Sequence, residues 1–319
     1  MTSLISSHIH NCLKQTSPWR CVVATTAAGV GVAAIAFHIC RRYSVRRSPY
    51  VQNYEKGMVY LFQFPRIRAA PNMSPFCIKL ETWLRIADIP YKNVEGLSFA
   101  FRSREGTLPM IELDGVEYPD SNLAICDLTS IFHKETLENH LNDEQRASSR
   151  ALEVMTESSL LLASIKFRMQ YIKEALDLFK PGTLNWLTLN LAAWGWTKVV
   201  NKKLYYNGLG RHSDENLIRF SSQDLHALSD YLGSKHYFMG FRATKIDAAV
   251  FGVLALIVYL PFDTPQREII ETECQNLREF CERMKHRYWP DWDEVTRNYA
   301  MNTDWKIKAQ KVVDSSIIG

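Results

Sequence analysis

The sequence predicts a protein with a small α/β domain followed by an all-α domain, preceded by one transmembrane helix. Three observations carry this prediction. An uncharged segment occupies residues 22–39, strand and helix patterns alternate over residues 58–135, and long helical patterns fill residues 144–295. The length of 319 residues suits about two domains.

Composition narrows the classes of function. Hydrophobic residues make up 46% of the chain and charged residues 23%, which is ordinary for a globular protein. The net charge of +4 is small, and no stretch resembles a basic module that reads nucleic acid. Seven cysteines without a CxxC pair or a zinc-type spacing fit a reduced compartment. Nine histidines show no metal-ligand pattern, so a metal site is not expected. The small net charge likewise gives no reason to expect a nucleic-acid partner.

Residues 22–39, VVATTAAGVGVAAIAFHI, predict a single-pass membrane anchor. As a helix they would extend about 27 Å at about 1.5 Å per residue, close to the hydrocarbon thickness of a bilayer. Trp19 and Tyr43 flank the segment, as interfacial aromatic residues do. More basic residues follow the segment than precede it, which by the positive-inside rule places the bulk of the chain in the cytosol. The basic residues are Arg41, Arg42, Arg46 and Arg47 after the segment, and Lys14 and Arg20 before it.

Two other interpretations of this segment stay open. It could be a cleaved signal peptide, with Ala34 and Ala36 forming an A-x-A site. It could also be a helix buried in the core. As an anchor, a short Ala/Gly-rich span between basic flanks suits the outer mitochondrial membrane or the endoplasmic reticulum. The whole N-terminal region, residues 1–57, ends in a linker at 44–57.

The α/β unit begins with a strand and a capped helix. MVYLFQF, residues 58–64, is rich in β-branched and aromatic residues and predicts a buried strand. The helix predicted at 75–87 has Pro75 in its first turn, where a missing N–H costs nothing. Ser74 is then the natural N-cap residue. A short strand is predicted at 91–94.

The unit continues with a hairpin and a second helix. LPMIEL and VEY, within residues 108–118, are separated by Asp114-Gly115, a pair that tolerates a type I′ turn. The segment 119–134 predicts a helix that starts at Asp120 or Ser121.

The second domain is expected to be helical throughout. The apolar run at 184–200 is interrupted by Asn185 and Asn190, which favours a packed helix over a second membrane pass. Thr244 and Asp247 have the spacing of a capping box before an apolar run, and the helix that follows should lie in the centre of the domain. Residues 301–319 predict a polar tail.

Three motifs in this order resemble the glutathione transferase superfamily. SPFC (74–77) resembles the active-site turn of its cysteine-containing classes, and TLPMIELDG (107–115) resembles the strand that begins with a cis proline. PDSNLAI (119–125) resembles the segment that holds the γ-glutamyl end of glutathione. The resemblance implies a thioredoxin-like N-terminal domain, a cis bond before Pro109, and glutathione as the candidate cofactor.

A narrower resemblance covers residues 58–295. The strings VYLFQFPR, SPFCIKLETWLRIADIPY, NGLGRHS and DLHALSDYLGSKHYFMG resemble the failed axon connections family, whose relatives include metaxins and cadmium-responsive nematode proteins. That family implies a glutathione-transferase-like fold, often on a membrane, and a link with axon development. Its enzymatic activity is largely unestablished.

The resemblance implies roles for six residues. Ser74 would be the activating hydroxyl that hydrogen-bonds a glutathione thiolate at a helix N-terminus. Leu108 would offer its backbone to the peptide beside cis Pro109. Asp120 and Ser121 would bind the γ-glutamyl amine and carboxylate. Cys77, a less favoured catalytic candidate, occupies the position of a resolving thiol.

Each of these residues also has a purely structural interpretation. Ser74 and the Asp120-Ser121 pair could serve as helix N-caps, and Cys77 could be a small buried residue. Exchange of the dithiol type is not expected, because serine stands where the nucleophilic cysteine would be. Arg66 and Arg68, in the loop after the first strand, are expected to be solvated, although an anionic ligand is the alternative.

Two functional hypotheses follow. The first is a membrane-anchored interaction or adaptor protein without catalytic activity, which has a protein partner and could form a homodimer. The alternative is a glutathione-dependent transferase or reductase that uses Ser74 on small electrophiles. Affinity for glutathione separates the two hypotheses, because an enzyme must bind its cofactor and an adaptor need not.

Overall fold

The computed structural model describes residues 49–95, 103–182 and 186–310, all within one compact unit that spans 49–319. The predicted anchor at 22–39 lies outside the described residues. Within the described ranges, no helix has both the length and the apolar character needed to cross a bilayer.

The N-terminal half of this unit is a mixed four-stranded sheet. Its strands are Val59–Gln63 (β1), Tyr91–Glu95 (β2), Met110–Leu113 (β3) and Val116–Pro119 (β4), in the spatial order β2-β1-β3-β4. β1 pairs in parallel with β2, while β3 pairs antiparallel with both β1 and β4. Every residue of β1 is buried, as its continuous apolar run predicts.

The predicted hairpin and cis bond are both confirmed. Asp114 and Gly115 have φ angles of 51° and 78°, the left-handed conformation that a type I′ turn needs at both central residues. The Leu108–Pro109 bond, directly before β3, is cis.

Two helices complete the thioredoxin-like half, Pro75–Ile86 (α1) and Ser121–Ile131 (α2). Both agree with the predicted helices, and Ser74 and Asp120 occupy their N-cap positions. Trp83, Leu84 and Ile125 pack with β1 and β3 residues in one apolar cluster. The order of strands and helices therefore matches the α/β unit that the sequence predicts.

The C-terminal half is helical throughout its described residues. Its helices are Asp143–Met155 (α3), Leu161–Arg168 (α4), Ile172–Leu176 (α5), Trp186–Asn207 (α6), Asp214–Leu232 (α7), Lys245–Val258 (α8), Pro265–Thr272 (α9), Gln275–Tyr288 (α10) and Trp292–Arg297 (α11). A π-helical turn at Thr156–Leu160 joins α3 to α4, so the two form one long bulged helix. Residues 186–200 of the apolar run fall in α6, which packs on the helical half through Ala193 and Val200 while several of its large apolar side chains are exposed.

Helix α8 is the centre of the protein and joins its two halves. Almost every one of its residues is buried, as its unbroken apolar sequence predicts. Asp247 accepts hydrogen bonds from the backbone N–H groups of Thr244 and Phe238, both at 2.8 Å, so the predicted capping box is present. Gly252 lets α8 touch α1, since a Cβ atom there would lie 2.5 Å from the carbonyl oxygen of Pro75.

Segments at both ends of the described unit are tied to the sheet. In the predicted linker, the N–H groups of Tyr50 and Val51 donate to the carboxylate of Glu112 on β3 at 2.8 and 3.1 Å. In the predicted tail, Asn302 exchanges two hydrogen bonds with the backbone of Asn93 on β2. The first residues of the tail therefore cover the outer edge of the sheet.

Candidate functional site

The topology brings the predicted site residues to one end of the sheet. Phe62, near the carboxyl end of β1, pairs with Met110 at the start of β3, and Met110 pairs with Pro119 at the end of β4. The segment that leads to Ser74 leaves β1 at this end, the cis bond enters β3 there, and Asp120 follows β4 there. The sequence order and the sheet pairing thus place all six candidate residues near the same end of the sheet.

Ser74 occupies the N-cap position of α1, but its side chain makes no capping hydrogen bond. The sequence-based expectation of a side-chain cap is therefore wrong. The neighbouring Asn72 organises this turn instead: its Oδ1 accepts from the N–H of Ser74 at 3.0 Å, and its Nδ2 donates to the carbonyl of Phe64 at 2.7 Å. Asn72 is fully buried, whereas Ser74 is half-buried.

Cys77 lies in the first turn of α1 and is fully buried. Burial raises the pKa of its thiol to about 12, and this outweighs the lowering effect of a hydrogen bond with the Ser74 side chain. The thiol therefore stays protonated at neutral pH and is a poor nucleophile. This geometry agrees with the interpretation of Cys77 as a buried small residue.

The Asp120-Ser121 pair begins α2. The Asp120 carboxylate accepts from the N–H groups of Asn122 at 2.7 Å and Leu123 at 3.2 Å, so it is a true N-cap. Asp120 itself is exposed, with φ at 64°, and Ser121 is buried. One carboxylate oxygen is thus used by the helix, while exposure leaves the side chain accessible from solvent.

Sequence reasoning missed a buried polar cluster next to this end of the sheet. We call it the Glu81 network, formed by Gln63, Arg66, Glu81, Tyr91 and Asn93. Each of the other four donates to the Glu81 carboxylate over 2.7 to 3.1 Å, with two bonds from Arg66. Burial alone would raise the pKa of Glu81, but the guanidinium groups of Arg66 and Arg85 lower it to about 2.

Arg66 corrects a second expectation. It was predicted to be solvated, yet it is buried and also donates to the carbonyl groups of Ala300 and Met301. Arg68, by contrast, is exposed as expected. Arg66 therefore joins the loop after β1 to the C-terminal segment and is not available to an anionic ligand.

Arg85, one helical turn after Glu81 on α1, extends the cluster to the helical half. Its two Nη atoms lie 2.5 and 3.0 Å from the carboxylate oxygens of Asp291. Its guanidinium carbon lies 3.7 Å from the centroid of the Trp289 ring. These contacts fix the helical half against α1 and have a structural role.

Lys79 makes a second buried ionic contact between the halves. Its Nζ atom lies 2.9 Å from Glu153 and 2.6 Å from Glu157, and it donates to the side chain of Asn122 on α2. No group of three His, Cys, Asp or Glu side chains in the described ranges is arranged to hold a metal ion. Through their buried ion pairs, Lys79, Glu81 and Arg85 of α1 stabilise the fold.

Comparisons with known proteins agree with this architecture. A family model described as "Glutathione S-transferase N-terminal domain" matches residues 75–174, and one described as "Glutathione S-transferase, C-terminal domain" matches residues 221–284.

Curated relatives place the chain more narrowly. Failed axon connections of Drosophila melanogaster is 36% identical over 78% of this chain and 62% of its own length, so the chain spans less than two thirds of that relative. Mouse metaxin-2 is 24% identical over 67% of this chain and 82% of its own length. Isoprene-epoxide–glutathione S-transferase of a Rhodococcus species is 24% identical over 72% of this chain and 99% of its own length.

The predicted resemblance is thereby confirmed, and so is the division into a thioredoxin-like half and a helical half. The chain is thus similar to the glutathione-transferase-like, metaxin-related family that includes Failed axon connections.

Proposed function

We propose that this protein is a membrane-anchored adaptor whose glutathione-transferase-like fold serves protein interaction and not glutathione chemistry. The single observation that carries the proposal is that the side chains expected to bind glutathione already contact other groups of the protein. The Ser74 hydroxyl lies beside the buried Cys77 thiol, whose pKa it lowers, and the Asp120 carboxylate caps α2. Groups that are already partnered within the protein gain less from a glutathione molecule.

The proposed anchor is residues 22–39, with the unit that begins at residue 49 in the cytosol. The uncharged span and the four arginines that follow it support this orientation. The outer mitochondrial membrane and the endoplasmic reticulum are both candidate locations. By analogy with the name of its fly relative, we propose a role in axon development or at an organelle surface, through a protein partner or a second copy of the chain.

A glutathione-dependent enzyme is the second candidate function. It is favoured by the likeness to a relative whose name describes a glutathione S-transferase. In that case the Ser74 hydroxyl would have to turn from the Cys77 thiol and donate to a glutathione thiolate. Leu108, Asp120 and Ser121 would bind the rest of the peptide.

Thermal unfolding with and without glutathione tests the choice. A ligand that binds only the folded state at about 100 times its Kd would stabilise it by about 2.7 kcal/mol. We expect no shift for an adaptor, and no conjugation of a model electrophile. The proposal would be contradicted if glutathione raised the thermal midpoint and the protein conjugated the electrophile in a way that depends on Ser74. In that case Ser74→Ala would abolish conjugation, while the control Ser130→Ala, at an exposed position, would retain it.

The anchor has its own test. Protease added to intact organelles should digest the unit that begins at residue 49, because the proposed orientation exposes it to the cytosol. Complete protection in sealed vesicles would contradict that orientation. Moving Arg41, Arg42, Arg46 and Arg47 to the N-terminal flank should invert part of the population.

A further inference from the structure

Helix α6 packs on the helical half through one narrow seam. Ala193, Val200 and Leu204 are buried and follow one another at helical spacing, so they share one face. Val200 and Leu204 pack with Leu162 on α4 and with Leu209. Helix α6 also packs against α5.

Large apolar side chains are concentrated on the exposed surface of α6. Of the thirteen exposed large hydrophobic residues in the described ranges, six belong to this helix. Trp194 is 66% exposed, Val199 65% and Tyr206 71%. Scattered exposed apolar residues need no explanation, but a concentration on one helix indicates an interaction surface.

Lysines lie among these apolar side chains. Leu191, Trp194, Lys198, Lys202 and Tyr205 follow one another at steps of three or four residues, and we call this stripe the α6 face. All five side chains are exposed. The helix also carries Lys203 but contains no acidic residue, so the surface is apolar and positively charged at once.

The cations of the α6 face are associated with aromatic rings. Lys202 Nζ lies 5.8 Å from the centroid of the Tyr206 ring, and the guanidinium carbon of Arg211, just after the helix, lies 4.9 Å from that of Tyr205. No salt bridge joins Lys198, Lys202 or Lys203 to a carboxylate within the described part of the chain. Their positive charge is therefore not neutralised locally.

The positions of the lysines favour a lipid surface over a protein as the binding partner of the α6 face. Lys198 and Lys202 stand in the middle of the stripe, between Trp194 and Tyr205, and lysine is depleted from the cores of protein interfaces. At a bilayer surface the same arrangement is favourable. Trp and Tyr rings suit the headgroup layer, and lysine stems can lie on apolar surface while their ammonium groups reach anionic headgroups.

We propose that the α6 face binds an anionic lipid bilayer, with the helix lying in the headgroup layer. Leu191 and Trp194 enter the boundary with the acyl chains, and Lys198, Lys202 and the adjacent Lys203 contact anionic headgroups. This contact goes beyond the proposed anchor at 22–39, because it lies on the folded unit and does not depend on how the N-terminal segment is held.

Fluorescence quenching of Trp194 by brominated lipids tests this contact in the full-length chain. The protein is reconstituted in nanodiscs of zwitterionic lipid alone and in discs that also contain phosphatidylserine. Trp194→Phe supplies the signal to subtract, because the chain has eight tryptophans. We expect the Trp194 signal to be quenched in anionic discs and largely unquenched in zwitterionic discs.

Charge neutralisation provides the matched comparison. Anionic lipid contributes about fivefold in affinity for each lysine near the surface, so Lys198→Gln, Lys202→Gln and Lys203→Gln together should weaken the contact by about 100-fold and remove the quenching. The control removes three positive charges at other exposed positions, Lys56→Gln, Lys235→Gln and Arg287→Gln, and should keep it.

Other outcomes would overturn the proposal. Trp194 quenching that is absent, or equal in the two lipids, would remove the role of anionic headgroups. A Trp194 emission shift that depends on protein concentration without lipid would assign the face to a second copy of the chain. An error in the proposed anchor at 22–39 would give a different result from an error in the lipid contact. Without the anchor, an alkaline wash would release the chain from the discs, but Trp194 would still be quenched before the wash.

Discussion

Arg66 and Glu81 form a bidentate ion pair that lies entirely inside the protein. The two Nη atoms of Arg66 are each 2.7 Å from a different carboxylate oxygen of Glu81, and both side chains are buried. Such fork-to-fork geometry is the strongest form of a charge-assisted hydrogen bond. Because Arg66 also binds the carbonyl groups of Ala300 and Met301, the pair connects the sheet, α1 and the C-terminal segment.

We predict that Glu81→Gln strongly destabilises the fold. The change leaves Arg66 and Arg85 buried with less compensating charge, and breaking a buried pair in this way costs about 3–5 kcal/mol. Urea unfolding of the variant and the wild type measures the difference. The control is Glu271→Gln, which removes an exposed partner of Arg267 and Arg278 and should cost less than about 1 kcal/mol. Equal effects of the two changes would contradict a structural role for the Glu81 network.

The same carboxylate predicts an acid-sensitive part of the stability. The pKa of Glu81 is lowered from 4.5 to about 2 in the folded protein, so the unfolded state binds a proton more readily than the folded state does. Its stabilising contribution is present above pH 4.5, is of the order of 3 kcal/mol, and is lost as the pH falls toward 2.

Comparing wild type with Glu81→Gln isolates this effect, because other titrating groups are common to both proteins. Asp247 is such a group: burial raises its pKa to about 6, which has the opposite sign. The difference in the free energy of unfolding between the two proteins should shrink between pH 4.5 and pH 2. A difference that stays constant over this range would show that Glu81 is not ionised with a lowered pKa.

Much of the fold could be predicted from local signals in the sequence. Asp114-Gly115 fixes the hairpin because few other pairs accept two left-handed residues, and Thr244 with Asp247 marks the start of α8. The unbroken apolar run after Asp247 predicts a central helix, since any exposed face would carry polar residues.

The Glu81 network was not predictable in this way. On the sequence, Lys79, Glu81 and Arg85 are charges on a helix and suggest a solvated face. Their partners lie far along the chain: Asp291 is 206 residues from Arg85, and Met301 is 235 residues from Arg66. The packing of the helical half and of the C-terminal segment on α1 and the sheet makes these charges internal.

The contact between α8 and α1 gives a further prediction. Alanine is ordinarily about 1 kcal/mol better than glycine inside a helix. At Gly252 the added Cβ would lie 2.5 Å from the carbonyl oxygen of Pro75, which is backbone and must move. Overpacking of this kind costs about 1–3 kcal/mol, so Gly252→Ala should lower stability.

Gly195 is the matched control, because it is also inside a helix and a Cβ there would meet nothing within 4 Å. Gly195→Ala should leave the thermal midpoint unchanged or raise it, whereas Gly252→Ala should lower it. Similar midpoints for the two variants would contradict the close approach of α8 to α1.

Thiol reactivity tests the burial of Cys77. Because its pKa is raised to about 12 and the side chain is inaccessible, native protein at pH 8 should not be alkylated there by iodoacetamide. Cys126, exposed on α2, is the internal control and should react. Peptide mass spectrometry before and after unfolding in urea reads both sites. Labelling of native Cys77 as fast as Cys126 would show an accessible thiol and revive its candidacy as a catalytic residue.

The turn before α1 supplies the last prediction, which concerns Ser74 and Asn72. The Ser74 side chain makes no capping bond and faces the Cys77 thiol, a weak hydrogen-bonding group, so Ser74→Ala should change the free energy of unfolding by less than about 0.5 kcal/mol. Asn72→Ala should cost more. It removes a buried amide that binds the N–H of Ser74 and the carbonyl of Phe64, and leaving such groups unpaired costs about 1–3 kcal/mol each.

The two variants also separate structure from catalysis. If Ser74 has no catalytic role, Ser74→Ala folds normally and retains the cellular function of the protein, while Asn72→Ala fails in proportion to its lost stability. An enzyme would show the reverse order, with the stable Ser74→Ala variant inactive in glutathione conjugation. A loss of more than about 1 kcal/mol in Ser74→Ala, the usual effect of removing a cap, would instead mean that its hydroxyl binds the helix N-terminus after all.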